Sequence, residues 1–477
     1  MYVITSIVYC IALLKISYQV LQRVTFDSLP IEIQDEIFFL CLPSFPRFTI
    51  KGAPIVLARV CSTWRSIVLS TPRLWSSFEV EIQGSGASGL LHDIRLIHRT
   101  KLWLERSICY PLSVRLVHNS VGRVSDDRSA QLLAVLVPEA RRWQKAHFTL
   151  PASSIAQLQS IPPNSFPTLR SLMLKVTGLR FSTSDPPLNL SAINIPWRQL
   201  TCLDLQLEPN NLPTLDDGLD ILSQTVNLKR GTFHLECARD RRNIQWDKLS
   251  LPVFESLHLI LQDGSTASDH PAEACLVQFL NLLYLPKLRV LHLGWLVNSS
   301  DVGHWSLAHS DFLAFLQASN ETLQELTMSY LPIAENELLE CLSQVSRLTH
   351  LDLRFALNEG ANDPISNRLF VACTNPSSMI SSSIPHRKQV HTETPVLPRL
   401  ERINLQCHGA VYTNTTLLTF IQSRWKFSQK SDGEAVQRPL RCFRLLSMKP
   451  VPSEMEEHVK IWHEEGLEID IQCLVVR

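Results

Sequence analysis

The sequence predicts a mixed α/β chain: a small helical N-terminal unit followed by an irregular α/β solenoid, with a parallel sheet on its concave face and helices outside. Three observations point there. The pattern L-x-x-L-x-L returns along the chain from residue 169, amphipathic helical stretches separate its copies, and the first eighty or so residues carry a different, helical pattern.

Residues 1–23 form an apolar leader whose uninterrupted stretch, 3–14, ends at Lys15. It falls short of the roughly 20 residues of a spanning helix, and although its length suits a signal peptide, neither a basic flank nor a small-x-small cleavage site accompanies it. No membrane association is expected. From 24 to 80 the pattern reads as three short helices. Leu29 and Pro30 open the first, with Ile33, Ile37 and Leu40 or Cys41 as its apolar stripe, and Pro43, Pro46 and Gly52 break it. A second, from about 54 to 69, sets Leu57, Val60, Cys61, Trp64 and Val68 on one face. Pro72 stops it, and Leu74 and Trp75 pack the segment after it. Residues 81–110 read as a linker, "QGSGASG" at 83–89, with a connecting helix, "LLHDIRLIHRTKLWLERS".

Clear copies of the repeated pattern begin at Leu169, Leu200, Phe254, Leu288, Leu323, Leu348 and Leu400. Degenerate copies begin at Leu228 and Leu440, and earlier ones lie at 111–116 ("PLSVRL") and 146–150 ("AHFTL"). Each is a strand candidate with alternating buried positions. Helical candidates such as "DDGLDILSQTV", "AEACLVQFLNLLY" and "ENELLECLSQV" lie between them. Successive copies from 169 to 348 start 25 to 35 residues apart, longer than the roughly 20 to 29 of leucine-rich repeats, and nearly all lack the asparagine such repeats carry after the strand. One strand-helix unit cannot bury its own apolar face, but a stack can, so 111–477 read as an irregular leucine-rich-repeat-like solenoid. A polar Ser/Thr/Pro-rich run within about 357–397 has no apolar period and reads as an exposed insertion. A helix ending at Gly466 and a last strand from Leu467 would cap the array.

Composition narrows the function. With 45% hydrophobic and 19% charged residues the chain can bury a core. Basic and acidic residues number 45 each, so no net field draws it to nucleic acid or an anionic membrane, and neither is an expected partner. The 12 cysteines lack the close spacing of a zinc site, and several sit in apolar runs, which suits a reducing compartment, cytoplasmic or nuclear.

No catalytic residues stand out. Among 16 histidines there is no H-E-x-x-H or H-x-H, and neither a G-x-S-x-G nor a phosphate-cradling loop occurs, so no metal and no cofactor is expected. His258, His292 and His350 lie in or beside repeat strands and read as hydrogen-bonded structural imidazoles. Asp216 and Asp217, and "RDRR" at 239–242, read as solvated faces, the latter being one place where an acidic ligand would be gripped.

Residues 26–78 resemble the F-box, a small three-helix unit that docks on the Skp-family adaptor of cullin-based ubiquitin ligases. The resemblance rests on "LPIEIQDEIFFLCLP", with Leu29, Pro30, Glu32, Ile33 and Ile37, and on "VLARVCSTWRSIVLSTPRLW", with Val60, Cys61, Trp64, Pro72, Leu74 and Trp75. The whole chain is similar to a large group of F-box proteins of mushroom-forming fungi, in which "WLERS" (103–107) and "PLSVRL" lead into an irregular repeat domain. The short leader and the 357–397 run depart from that group.

The resemblance implies a non-catalytic substrate-receptor subunit. Leu29, Pro30, Ile33 and Ile37, with Leu74 and Trp75, would contact the adaptor, and Val60, Cys61 and Trp64 would form the F-box core. The partners would be a Skp-family adaptor, through it a cullin, and an unknown target protein held by the repeats. On the residues alone a second reading stands beside this one: Leu29, Pro30, Ile33 and Ile37 as core of an N-terminal cap on a scaffold with no ubiquitin role. Leu74 and Trp75 fit either contact or support.

Overall fold

The computed structural model describes residues 26–82, 89–118, 128–177, 193–207, 212–237, 246–262, 272–297, 305–358, 360, 362–375, 395–425 and 439–474. The leader at 1–23, the basic run at 239–242, and most of the Gly/Ser connection and the polar run lie outside these residues. Contacts divide the chain into two units, 1–211 and 212–477. Among the described residues both are mixed α/β, with five strands of parallel sheet in the first and eight in the second, besides a two-stranded parallel pair in the second. Among the described residues, no helix is long and apolar enough to cross a membrane.

The first unit opens with two α-helices, α1 (Ile31–Leu40) and α2 (Ser62–Ser70), and three 3-10 turns, Phe26–Ser28, Leu57–Arg59 and Pro72–Trp75. The second helix expected over 54–69 is divided because Cys61 is extended, at φ −153° and ψ 176°. Its Sγ accepts the Trp64 N–H at 3.4 Å and so caps α2. The stripe on α1 is also displaced. Gln34 and Phe38 are its buried residues, since Phe38 stacks on Phe26 at 5.3 Å and Gln34 Nε2 donates to the Leu29 carbonyl at 2.7 Å.

Strand β1 (Ser77–Ile82) comes directly after, with Phe78, Val80 and Ile82 buried. It pairs in parallel with β2 (Leu112–His118), starting at Ser77 opposite Ser113, so the sheet begins inside the segment expected to be helical and not at 111. Parallel neighbours need a long crossover, here helix α3 (Gly89–Ser107), which buries Leu96, Trp103 and Leu104. Then come α4 (Arg128–Leu136), β3 (Trp143–Pro151), a short α5 (Ile155–Gln159), β4 (Ser171–Thr177) and β5 (Cys202–Gln206), the strands parallel and in chain order.

The second unit continues this alternation. Its elements are α6 (Leu215–Gln224), β6 (Arg230–Glu236), β7 (Leu249–Ser250), β8 (Ser256–Gln262), α7 (Ala272–Asn281), β9 (Leu283–Tyr284), β10 (Val290–Leu296), α8 (Trp305–Ala318), β11 (Glu325–Ser329), α9 (Glu335–Ser343) and β12 (His350–Arg354). After them come α10 (Asn367–Cys373), β13 (Arg402–Cys407), α11 (Asn414–Trp425), β14 (Cys442–Ser447), α12 (Ser453–Glu464) and β15 (Glu468–Cys473). The two-residue β7 and β9 pair with each other, and the rest form the parallel sheet. Gly466, at φ +102°, closes α12 in the left-handed conformation that glycine adopts without strain. Helix α10 and the buried Ile365 lie inside the run expected to be an insertion, so the polar segment is narrower than 357–397. Seven helical residues are too few to show a period against the polar sequence next to them.

Hydrogen bonds make the repeat explicit. Ahead of most strands of the second unit, one carbonyl accepts two consecutive amides from the segment before the next strand: Lys229 from Glu255 and Ser256, Glu255 from Arg289 and Val290, Arg289 from Gln324 and Glu325, Gln324 from Thr349 and His350. Thr349 and Glu401 continue the series. The first apolar residue of most copies also closes a turn onto the carbonyl three residues back, as Phe254 does on Leu251, Leu288 on Leu285 and Leu400 on Leu397, at 3.2 Å in each case. Those three acceptors are buried and precede a proline, a longer signature, L-P-x-[LF], that leads into the strand.

Alternate strand residues pack against helices. Phe420 of α11 lies 5.5 Å from Phe370 of α10 and 6.3 Å from Phe443 of β14, ring to ring. The opposite strand face is largely polar.

Candidate interaction surfaces

In the first unit, α1 is held from one side. Phe38 meets Trp64 at 4.9 Å, Thr71 Oγ1 donates to Asp35 at 2.9 Å, and Arg73 pairs with Glu36 at 2.7 Å while its guanidinium lies 3.5 Å over the Phe39 ring. The loop after α1 is fixed on β1, where Glu79 N–H donates to the Pro46 carbonyl at 2.8 Å and Arg47 pairs with the Glu79 carboxylate at 2.6 Å.

The side chains left outside are apolar. Ile33 is 48% exposed, Ile31 49% and Leu40 69%; Pro30 is exposed, and Leu29 and Ile37 are half-buried. Ile33, Ile37 and Leu40 share one face of α1 by their spacing. Pro30 and Ile33 are therefore surface and not the core of a cap.

Leu74 and Trp75 are 0% and 1% exposed, so they support this unit and present no surface. Trp75 stands edge-on to Trp103 at 4.7 Å, with the Arg106 guanidinium 4.4 Å from its ring. Val60, 60% exposed, and Cys61, also exposed, are not core, because the chain turns outward between the 3-10 turn and α2. Trp64 does join the core, half-buried between Phe26 and Phe38. Phe26, Phe38 and Trp103 were the supporting residues to find, and their signal was aromatic identity, not helical period.

In the second unit, the register places His258, His292, Thr327, Asp352, Asn404 and Arg444 in one cross-strand row of the polar face. Ser256, Val290, Glu325, His350, Arg402 and Cys442 form the row before it. Two recesses open here. One, of about 210 Å³, is lined by residues including Glu325, His350, Asp352, Arg402, Asn404 and Arg444. The other, of about 250 Å³, is lined by Glu321, Gln324, Arg347, Thr349, His350, Arg399 and Glu401, and the two meet at His350.

The titratable groups explain their own places. His350 Nδ1 lies 2.8 Å from Thr349 Oγ1, a hydrogen bond of the structural kind expected. His292 faces His258 at 5.3 Å between ring centroids, and burial first, then His258 and Arg354, hold its pKa below the usual value. Of the two carboxylates read as a solvated face, Asp217 is exposed and completes a capping box with Thr214, whereas Asp216 is buried and accepts from Trp246 Nε1 at 2.9 Å. Both sit at the α6 N-terminus, where carboxylates are stabilised by the helix dipole. Burial pushes the Cys341 thiol up to about 12 and Cys373 to about 11, away from nucleophilic reactivity. Among the described residues, no group of three or more His, Cys, Asp or Glu is placed to hold a metal ion.

These features define a mixed α/β protein with parallel strands in repeated register, an apolar helix face in one unit and a polar strand face in the other. No protein-family model matches the chain, and no curated protein matches it in sequence.

Proposed function

We propose that this chain is a substrate-receptor subunit of a Skp-cullin-F-box ubiquitin ligase. The N-terminal unit docks the Skp-family adaptor, and a leucine-rich-repeat-like solenoid holds a target protein on its strand face. The observation that carries this reading is the α1 surface: Pro30, Ile31, Ile33 and Leu40 face solvent while Phe38 and Trp64 anchor the helix from behind. A large apolar face on a buttressed helix is the geometry of helix recognition. The resemblance of residues 26–78 to the F-box names the partner. Leu74 and Trp75 then stiffen the unit and make no contact themselves. The role asks for position and rigidity, and the chemistry belongs to other subunits.

Pull-down with a Skp-family adaptor tests the proposal. Wild-type protein is expected to bind, and Ile33→Glu, at an exposed site that leaves the fold intact by circular dichroism, to lose binding about tenfold or more, the cost of a charge at an apolar anchor. Failure of the wild type to bind, or unchanged binding by the variant, favours instead a repeat-built scaffold with no ubiquitin role.

A further inference from the structure

We propose that the strand face of the second unit carries a site for an acidic, extended peptide segment, one carboxylate taken by Arg399 and a second by Arg402. The inference names the target chemistry for the strand face proposed as the target-binding surface, and rests on that reading without depending on adaptor docking.

The charges around the two recesses are mostly committed. Arg347 pairs with Glu321 at 2.5 Å, Arg441 with Glu401 at 3.3 Å, Arg354 with Asp352 at 2.8 Å, and Arg444 with Glu468. His350 stands 4.0 Å from Glu325. Arg399 and Arg402 are the exceptions: neither has an ion pair or a side-chain hydrogen bond with a described residue. One lines each recess, and the recesses abut at His350. Glu321, Asp352 and Glu401 are thus each paired with an arginine of the chain, and the guanidiniums of Arg399 and Arg402 remain to be matched.

Thr327 and Asn404 line the same recess as Arg402, polar side chains that hydrogen-bond a peptide backbone laid beside the carboxylates. A single guanidinium matches a single carboxylate through two parallel hydrogen bonds. A dianionic phosphate fits less well, because Glu321 and Glu401 line one recess and Glu325 and Asp352 the other. Arg399 lies in the turn that Leu400 closes on Leu397 and Arg402 is the first residue of β13, so the two guanidiniums are offered three residues apart, and the peptide probes take the same spacing.

Fluorescence anisotropy at low salt tests this, with labelled twelve-residue Gly/Ser peptides that carry Glu, Gln, Lys or phosphoserine at two positions three apart. The Glu peptide is expected to bind about tenfold or more tightly than the Gln and Lys peptides, the scale of a charge-assisted hydrogen bond. Arg399→Gln with Arg402→Gln should bring it down to the Gln level, while Arg368→Gln on α10 leaves it unchanged. Equal binding of Glu and Gln peptides, or full binding by the double variant, overturns the site. Tighter binding of the phosphoserine peptide overturns the carboxylate assignment in favour of phosphate. Adaptor pull-down by the double variant should match wild type, which separates this failure from failure of the ligase reading.

Discussion

The indole Nε1 of Trp75 donates a 2.8 Å hydrogen bond to the carbonyl of Val68, one of the last carbonyls of α2 and so one without a partner inside the helix. A tryptophan that its sequence setting offered as a contact residue is instead the post on which the helical start of the chain stands. Trp75→Ala should destabilise the protein by about 3–5 kcal/mol in urea unfolding, the range for a large buried aromatic. Trp75→Phe keeps much of the packing on Trp103 but leaves the Val68 carbonyl unpaired, so a smaller loss is expected.

Arg424 is 2% exposed and donates from Nη2 to the carbonyls of Leu397 at 2.7 Å and Leu400 at 3.4 Å. It ties the last turn of α11 to the turn that leads into β13, and burial lowers its pKa. Arg424→Met keeps the volume but removes the charged donor shared by the Leu397 and Leu400 carbonyls, which should cost about 1–3 kcal/mol. Faster amide exchange at Leu400, whose N–H closes the same turn, would accompany it.

Gly231 occupies the position of the motif where other copies carry leucine, opposite Leu257 in the register. A Cβ there would lie 2.5 Å from the Phe233 ring and 3.0 Å from the Phe254 ring, which fill that space. Gly231→Ala should therefore destabilise by about 1–3 kcal/mol, and Gly231→Leu, which restores the consensus, by more. Thermal melting of the two variants checks the order.

Burial, then Arg115 and Lys145, lower the pKa of His147 from 6.5 to about 4. The folded protein keeps this imidazole neutral while the unfolded chain protonates it near 6.5, so the unfolded state binds more protons in between. Its contribution is present above pH 6.5 and lost as pH falls towards about 4. His234 and His292 shift the same way. Urea midpoints across this window should fall with pH, and His147→Gln should flatten the fall.

Every copy of L-x-x-L-x-L falls on a strand, including the weak ones at Leu228 and Leu440. Alternating burial writes itself directly into sequence, so strand positions and succession were legible. Strand β1 was hidden by position, since its alternating "SFEVEI" stands directly after residues that read as helical. The outward face of α1 was hidden for another reason. Ile33 with Ile37 and Gln34 with Phe38 are both pairs four apart, so helical period alone cannot rank them.

The sequence by itself determined the mixed α/β class, the succession of the strands that carry the repeated pattern, and the last helix and strand either side of Gly466, because each arises from local periodicity and short turn signals. Only the tertiary structure decided which apolar residues are surface. Phe26 and Trp64 claim Phe38 and leave Ile33 outside, and Trp103 claims Trp75. It likewise separated Arg399 and Arg402 from their neighbouring arginines. The ion pairs of Arg347 with Glu321 and of Arg441 with Glu401 join segments far apart in sequence, where no local pattern records the partner.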